Sequence, residues 1–412
     1  MVEGKIIKHY RRKANMTQEV LGRGICSATH ISKIERGLTE YATEIINLLS
    51  ERLQIDMTQE IRNLTTIKEK LDLWHEMVIS QNIDAATEIE EKLDNNPLIQ
   101  ISEYQTLYLL LKLMHHLKLG NLDEALKQQK LLPKSHEGLP EFEKNLYKHS
   151  LGIYYMAMQE FLTSIEMLKS IDLDSYSNPM VYHDLAIAHH HHKSPVLSYY
   201  YAETALNLYK KRNNFLGIID TENLMAIQIE SDHLRDFKET VEKYESLIVL
   251  CDLCHDMDKK SKVLHNYAYE NLRRNNYLDA KKLYKESMAL KEKKSGIYLL
   301  SLEGYIRCCM EGHLLSQDKL LELIHEGLEI AKEINETGYR IFLTILKYDV
   351  LNEEEQYFLF ISNKALPYFN ANGYIMTAQR YQKKLFGYYE KIGDRLKALE
   401  TARQLINGLG DE

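Results

Sequence analysis

His183 and the run His189–His192, with Cys251, Cys254, Cys308 and Cys309, are the side chains whose types most invite metal or redox chemistry. Their spacing argues against it. Four successive helix positions point in different directions, so at most two of the run could share an ion, and no acidic or cysteine partner stands at ligand spacing. A helix end at a hairpin turn accounts for the run better. The single Cys-x-x-Cys has no second pair and the other two cysteines are adjacent, which describes buried structural thiols rather than a zinc or redox centre. There is no phosphate-binding glycine loop, no nucleophile elbow and no His-Glu-x-x-His. The expectation is a protein with no catalytic residues, no metal and no cofactor. Its chemistry is then recognition by hydrogen bonds.

Two groups of polar residues suit recognition, and the first lies between Thr17 and Gly37, which reads TQEVLGRGICSATHISKIERG. Thr17 can cap a helix whose first turn carries Glu19, and Val20 and Leu21 are expected to face inward. Gly22 and Gly24 allow a turn, Ser27 offers a second cap, and Ile31 and Ile34 repeat at helical spacing before Gly37 ends the helix. This is helix, turn, helix. Lys5 to Ala14 is expected as a preceding helix, and Glu40 to Leu53 as a closing one, with Ile45, Leu48, Leu49 and Leu53 completing a small core.

The stretch resembles the Xre/lambda-repressor class, whose Thr-Gln-x-x-Leu, turn, Ile-Ser-x-Ile-Glu-x-Gly pattern is matched at Thr17, Gln18, Leu21, Ile31, Ser32, Ile34, Glu35 and Gly37. In that class the second helix of the motif lies in the major groove and the helix before it points its N-terminus at a phosphate. The resemblance implies that Ala28, Thr29, Ser32 and Lys33 meet bases and Gln18 a phosphate, with Ser27, His30 and Arg36 in second rank. Ser27 is equally well read as a cap alone and His30 as a solvated side chain. Arg11, Arg12 and Lys13 are either backbone contacts or a solvated face.

From about residue 63 the chain repeats itself. QNIDAATEIEEKL from Gln81, GNLDEALKQQKLL from Gly120, NNYLDAKKLYKESM from Asn275 and IGDRLKALETARQL from Ile392 share a small turn, then a small residue a few positions on, then a periodic helix. The small residue falls at Ala86, Ala125, Ser164, Ser198, Thr240, Ala280 and Ala398, in steps of 39, 39, 34, 42 and 40 residues before a gap of 118. That gap is three steps, so two weaker repeats should lie inside it. Small residues there let two helices approach closely, and the period fits one antiparallel hairpin with its linker. The units resemble tetratricopeptide (TPR) repeats, Asn266 to Leu290 most clearly. The fold class expected is all-α: a lambda-repressor-like helix-turn-helix domain over residues 1–60, then a right-handed TPR-like α-superhelix of about nine helical hairpins over 63–412.

The second polar group follows from aligning these repeats, which puts Asp184, Asn223 and Asn266 at one position of the inner helix. Amide and carboxylate side chains at successive turns can hydrogen-bond an extended peptide, because asparagine offers a donor and an acceptor as a peptide bond requires. Tyr267 and Tyr182 stand beside them as groove walls or packing residues. Each polar residue could equally bond its own helix or water.

Composition agrees with both readings. The chain has 44% hydrophobic and 27% charged residues with 6 prolines and 18 glycines, little punctuation for an all-β fold. Residues 1–37 carry a charge balance of +5 and the rest −13, so the basic head is the part suited to phosphate. A start rich in lysine and arginine with no apolar run behind it excludes a secretory signal, no stretch is apolar enough to span a bilayer, and five cysteines suit a reducing compartment. A cytoplasmic protein without membrane contact is expected.

A helix-turn-helix followed by about nine TPR-like hairpins resembles the RRNPP family of peptide-pheromone-responsive regulators, across essentially the whole chain. The resemblance implies a quorum-sensing transcriptional regulator that binds double-stranded operator DNA and is switched by a short signalling peptide in the concave groove. It also implies a homo-oligomer, dimer or tetramer. The alternative is a Rap-like modulator that touches a sporulation phosphorelay protein through its repeats; the DNA-reading motif argues for the first.

Overall fold

The computed structural model describes residues 2–39, 41–96, 98–99, 102, 104–132, 138–228 and 237–407, the side chains of 375, 376 and 407 excepted. All regular structure among them is helical, and the chain divides into two compact units, Met1–Ile229 and Glu230–Glu412.

The first unit opens with a head of four short helices: α1 (Val2–Lys13), α2 (Gln18–Gly22), α3 (Ala28–Glu35) and α4 (Thr43–Leu53). Thr17 and Ser27 cap α2 and α3, accepting from the amides of Val20 and His30. Ile6, Ile7, Leu21, Ile31, Ile34 and Leu49 have no exposed surface and form the core of the head. Three expectations need correction. Val20 is exposed, because a five-residue helix has one buried face and Leu21 takes it. On α4 the buried residue is Ile46, at helical spacing from Leu49, while Leu48 faces out. Gly22 is not the turn residue; it closes α2 where a Cβ would come within 3.2 Å of Ile31, and Gly24, with φ of +74°, makes the turn. Glu40, the expected start of the closing helix, lies outside the described residues.

The unit continues with α5 (Met57–Ile79), α6 (Ile83–Asp94), α7 (Gln105–Lys118), α8 (Leu122–Leu131), α9 (Glu141–Ala157), α10 (Phe161–Lys169), α11 (Pro179–His191), α12 (Pro195–Lys211) and α13 (Phe215–Gln228). The boundary expected at residues 60–63 falls inside α5, which Asp56 caps and which runs unbroken from the head into the repeats. The second unit holds α14 (Phe237–Leu253), α15 (Met257–Arg273), α16 (Tyr277–Ala289), α17 (Gly296–Glu311), α18 (Gln317–Glu333), α19 (Thr337–Val350), α20 (Glu354–Phe360), α21 (Leu366–Ala371), α22 (Ile375–Ile392) and α23 (Arg395–Asn407). With α20 and α21 counted as one arm, α5 to α12 pair in chain order as four successive hairpins in the first unit and α15 to α23 as four in the second, while α13 closes the first unit and α14 opens the second.

The recurring small residue is the fourth residue of α6, α8, α10, α12, α14, α16 and α23, and all seven are buried. Its function is close approach. Ser164 Oγ donates to the Gly152 carbonyl at 2.7 Å and Ser198 Oγ to the Ala186 carbonyl at 2.8 Å, each bond crossing to the first helix of its own hairpin. The two weaker repeats are α17/α18 and α19/α20–α21. There the fourth residue is Leu320 and Tyr357, buried at the same place but large, which is why they escape a search for small residues. Between α20 and α21, Ile361–Ala365 widen into a π-helical turn beside Pro367, which has no N–H for the Asn363 carbonyl.

Candidate functional site

On α3 the inward row is Ile31, Ile34 and Glu35, and the outward row is Ala28, Thr29, Ser32, Lys33 and Arg36. Thr29 and Lys33 are exposed, Ala28 and Ser32 partly so, and exposed Ser27 holds the cap. These side chains share one surface of one helix. Its orientation is fixed from below: Arg11 Nη2 on α1 donates to Glu35 at 3.0 Å, Gln18 Nε2 on α2 at 2.9 Å, and the Arg11 Nη1 donates to the Met16 carbonyl at 2.8 Å. Burial alone would raise the Glu35 carboxyl, but the hydrogen bonds from Arg11 and Gln18 outweigh it and hold it below its ordinary range. Arg11 is therefore neither a phosphate contact nor a solvated charge, because its guanidinium is committed to this joint. The Gln18 amide lies in the same joint.

Sequence reading missed two residues here. Gly4 lets α1 cross α3, since a Cβ would stand 2.0 Å from the Ile34 carbonyl oxygen; a glycine inside a helix was the available signal. Arg52 on α4 donates to the carbonyls of Leu21 and Arg23 at 2.8 and 2.6 Å, satisfying the end of α2. The Tyr10 hydroxyl, raised to about 12 by burial and a hydrogen bond to Glu60, ties α1 to α5.

In the repeats the first helices of neighbouring hairpins touch: α5 with α7, α7 with α9, α9 with α11 and α11 with α13 in the first unit, α15 with α17 and α17 with α19 in the second. Of the aligned polar residues, Asn223 on α13 and Asn266 on α15 are partly exposed. Asp184 on α11 corrects the expectation. It is 1% exposed, and its carboxylate accepts from Lys118 Nζ at 2.8 and 2.9 Å and lies 2.9 Å from His149 Nε2. His149 Nδ1 is in turn 3.1 Å from the Tyr176 hydroxyl, which accepts from Asn178 at 3.0 Å. Burial opposes ionisation of Asp184, yet the charge of Lys118 and the His149 hydrogen bond hold its carboxyl well below the ordinary range. Asp184 therefore organises the interior of α7, α9 and α11 and presents nothing to a groove. Tyr267 stacks on Tyr244 with centroids 5.1 Å apart, a contact between α15 and α14.

The histidine run divides among neighbours: His189 stacks on Tyr201, His190 Nδ1 lies 2.9 Å from Gln228 Nε2, and His191 stacks on Phe161. Cys251, Cys308 and Cys309 are buried, and Cys308 donates to the Tyr277 carbonyl. Trp74, fully buried, meets the edge of His115 at 5.8 Å. No helix among the described residues is long and apolar enough to cross a membrane.

Comparison with known proteins fits this geometry. Residues 7–59 match the helix-turn-helix family HTH_3. The transcriptional activator NprA of Geobacillus stearothermophilus is 22% identical over 392 residues, 89% of this chain and 93% of that protein. NprR in complex with its cognate peptide NprX superposes with a TM-score of 0.68 at 20% identity, covering 84% of this chain and 99% of that one. A Rap protein complexed with competence and sporulation factor gives 0.70 at 15% identity, covering 84% and 97%. These matches show a helix-turn-helix domain over residues 7–59 and, along most of the chain, the fold of NprR and of the Rap protein.

Proposed function

We propose that the protein works in the cytoplasm as a homo-oligomer that reads double-stranded operator DNA with α3 and is switched by a short signalling peptide held on the first helices of its repeats. The observation that carries the DNA reading is the outward row of α3, Ser27, Ala28, Thr29, Ser32 and Lys33, on a helix whose inward row is locked in the core. Thr29 in the first turn of the helix and Lys33 one turn further on match the donors and acceptors of base edges. Gln18 acts in this reading through the N-terminus of α2, facing a phosphate with its backbone while its side chain braces Glu35. The peptide reading is supported by the partly exposed Asn223 and Asn266 and by the fold shared with NprR, whose structure carries the peptide NprX.

Competition binding tests the first part: Thr29→Ala and Lys33→Ala should each lose about 1–3 kcal/mol of preference for the operator over random DNA. Unchanged preference in both would remove α3 as the reader. Calorimetry with short peptides encoded beside the gene tests the second. The Rap superposition favours one further reading, contact with a sporulation phosphorelay protein through the repeats; a chain without residues 1–56 that kept that contact would support it.

A further inference from the structure

The side chain of Lys291, in the linker from α16 to α17, turns inward and places Nζ 2.7 Å from Ser301 Oγ. Ser301 is fully buried on α17, with its Oγ 2.9 Å from His265 Nδ1 on α15 and 3.3 Å from Ser287 Oγ on α16. Ser287 donates its own proton to the Ser261 carbonyl at 2.7 Å. Burial brings His265 down to about 3, so the ring is neutral, and in either tautomer Ser301, with one proton to give to His265 Nδ1 or to Ser287 Oγ, keeps a lone pair on Oγ. Ser301 Oγ is left to accept from Lys291.

An ammonium carries three N–H donors, and a neutral amine needs to place fewer and keeps a lone pair. The hydrogen bond that the described residues provide at Nζ is this one neutral hydroxyl. The charges facing Lys291 come from α15: Asp258, already 2.6 Å from Lys262, and Lys262 itself. Burial, with Asp258 and Lys262 in opposition, brings Lys291 to about 8. Two neighbours in the same linker are paired instead: Lys293 Nζ is 2.5 Å from Glu326, whose carboxylate raises it, and Lys294 Nζ is 2.8 Å from Glu333.

We propose that Lys291 is a covalent acylation site, the nucleophilic amine of this linker, which accepts an acyl group from a small acyl phosphate. The Nζ lone pair attacks the acyl carbon, the Nζ–C bond forms, and the C–O bond to phosphate breaks. Phosphate leaves with that electron pair, and the surplus proton of nitrogen passes through water to it. The amide retains one N–H to donate to Ser301 Oγ, so the hydrogen bond beneath survives while a half-buried cation is removed.

The test treats the intact chain with acetyl phosphate at several pH values and follows each lysine by peptide mass spectrometry. Near neutral pH, Lys291 should be acetylated at least about tenfold faster than Lys293 and Lys294, and its rate should level off above about pH 8 while that of Lys293 keeps rising. In the urea-unfolded chain the three should react alike. A rate no higher than the neighbours', a rate that climbs in parallel with theirs, or an advantage that persists after unfolding would each overturn the proposal.

Discussion

Asp184 and Asn266 stand at the same position of a repeat yet meet different surroundings, and the difference turns on one lysine. Lys118 reaches Asp184 from another first helix and converts a candidate ligand into half of a buried ion pair, a long-range contact that no local pattern in the sequence announces. Asp184→Asn leaves the Lys118 charge without its counter-ion, and breaking such a pair costs about 3 kcal/mol. The melting temperature should fall by several degrees while residual peptide affinity, measured on the folded fraction, holds. A variant that melts normally and binds poorly would return Asp184 to the groove. The pH dependence has a defined sign. The folded-state carboxyl is depressed, so its contribution is complete above the ordinary carboxylate range and is lost as pH falls below about 4. Asn223→Ala and Asn266→Ala should behave in the opposite way, with melting unchanged and peptide affinity reduced roughly tenfold, about 1–3 kcal/mol per unpaired peptide group. Titration calorimetry beside thermal melts separates the two patterns.

At the scale of elements, the hairpin turns explain only part of what the sequence disclosed. Gly120 and Gly393 take the left-handed conformation with φ of +73° and +76°, and Asn275 and Asn213 follow at +61° and +52°, residue types that mark a turn by themselves. Gln81, Gln159, Lys193 and His313 adopt the same conformation at equivalent places, and His255 does so in the connection from α14 to α15, where the residue type gives no sign of it. The small fourth residue decided legibility: the repeats of Ala86, Ser164 and Ser198, after Gln81, Gln159 and Lys193, were as visible from spacing as those after Gly120 and Asn275, whereas Leu320 after His313 and Tyr357 after Asn352 had to be inferred from a gap. In the head, caps and core period revealed the helices and the outward row of α3, whereas the Arg11–Glu35–Gln18 joint needed three helices in place to become visible. His255 offers a direct test of the turn argument. A β-branched residue is poorly accommodated at positive φ, so His255→Val should destabilise the second unit by about 1–2 kcal/mol, and His255→Gly should be neutral or slightly stabilising. Thermal or denaturant melts of both variants check this; equal losses would mean that the histidine ring, rather than the backbone, matters there.

For the whole molecule, the charge balance of +5 over residues 1–37 against −13 for the remainder leaves one small basic surface to meet a polyanion. A head whose core is a handful of residues presents one recognition helix, and one such helix reads about half of a useful site. Two heads joined through their repeats would instead bind paired half-sites with the second contact made intramolecular, which raises affinity by effective concentration without any new contact type. The chain is therefore expected to be a dimer or tetramer at micromolar concentration by light scattering. Its operator should carry two half-sites whose centres are a whole number of DNA turns apart. Inserting about five base pairs between them rotates one half-site to the opposite face of the duplex, whereas about ten restores the face. Affinity should collapse toward that of a single half-site for the first insertion and recover in part for the second. The Lys33→Ala variant should lose preference at both half-sites together, since each is read by the same residue of a different copy. A protein that stays monomeric with DNA bound and is indifferent to the insertion would refute the paired-head arrangement while leaving α3 as the reading helix.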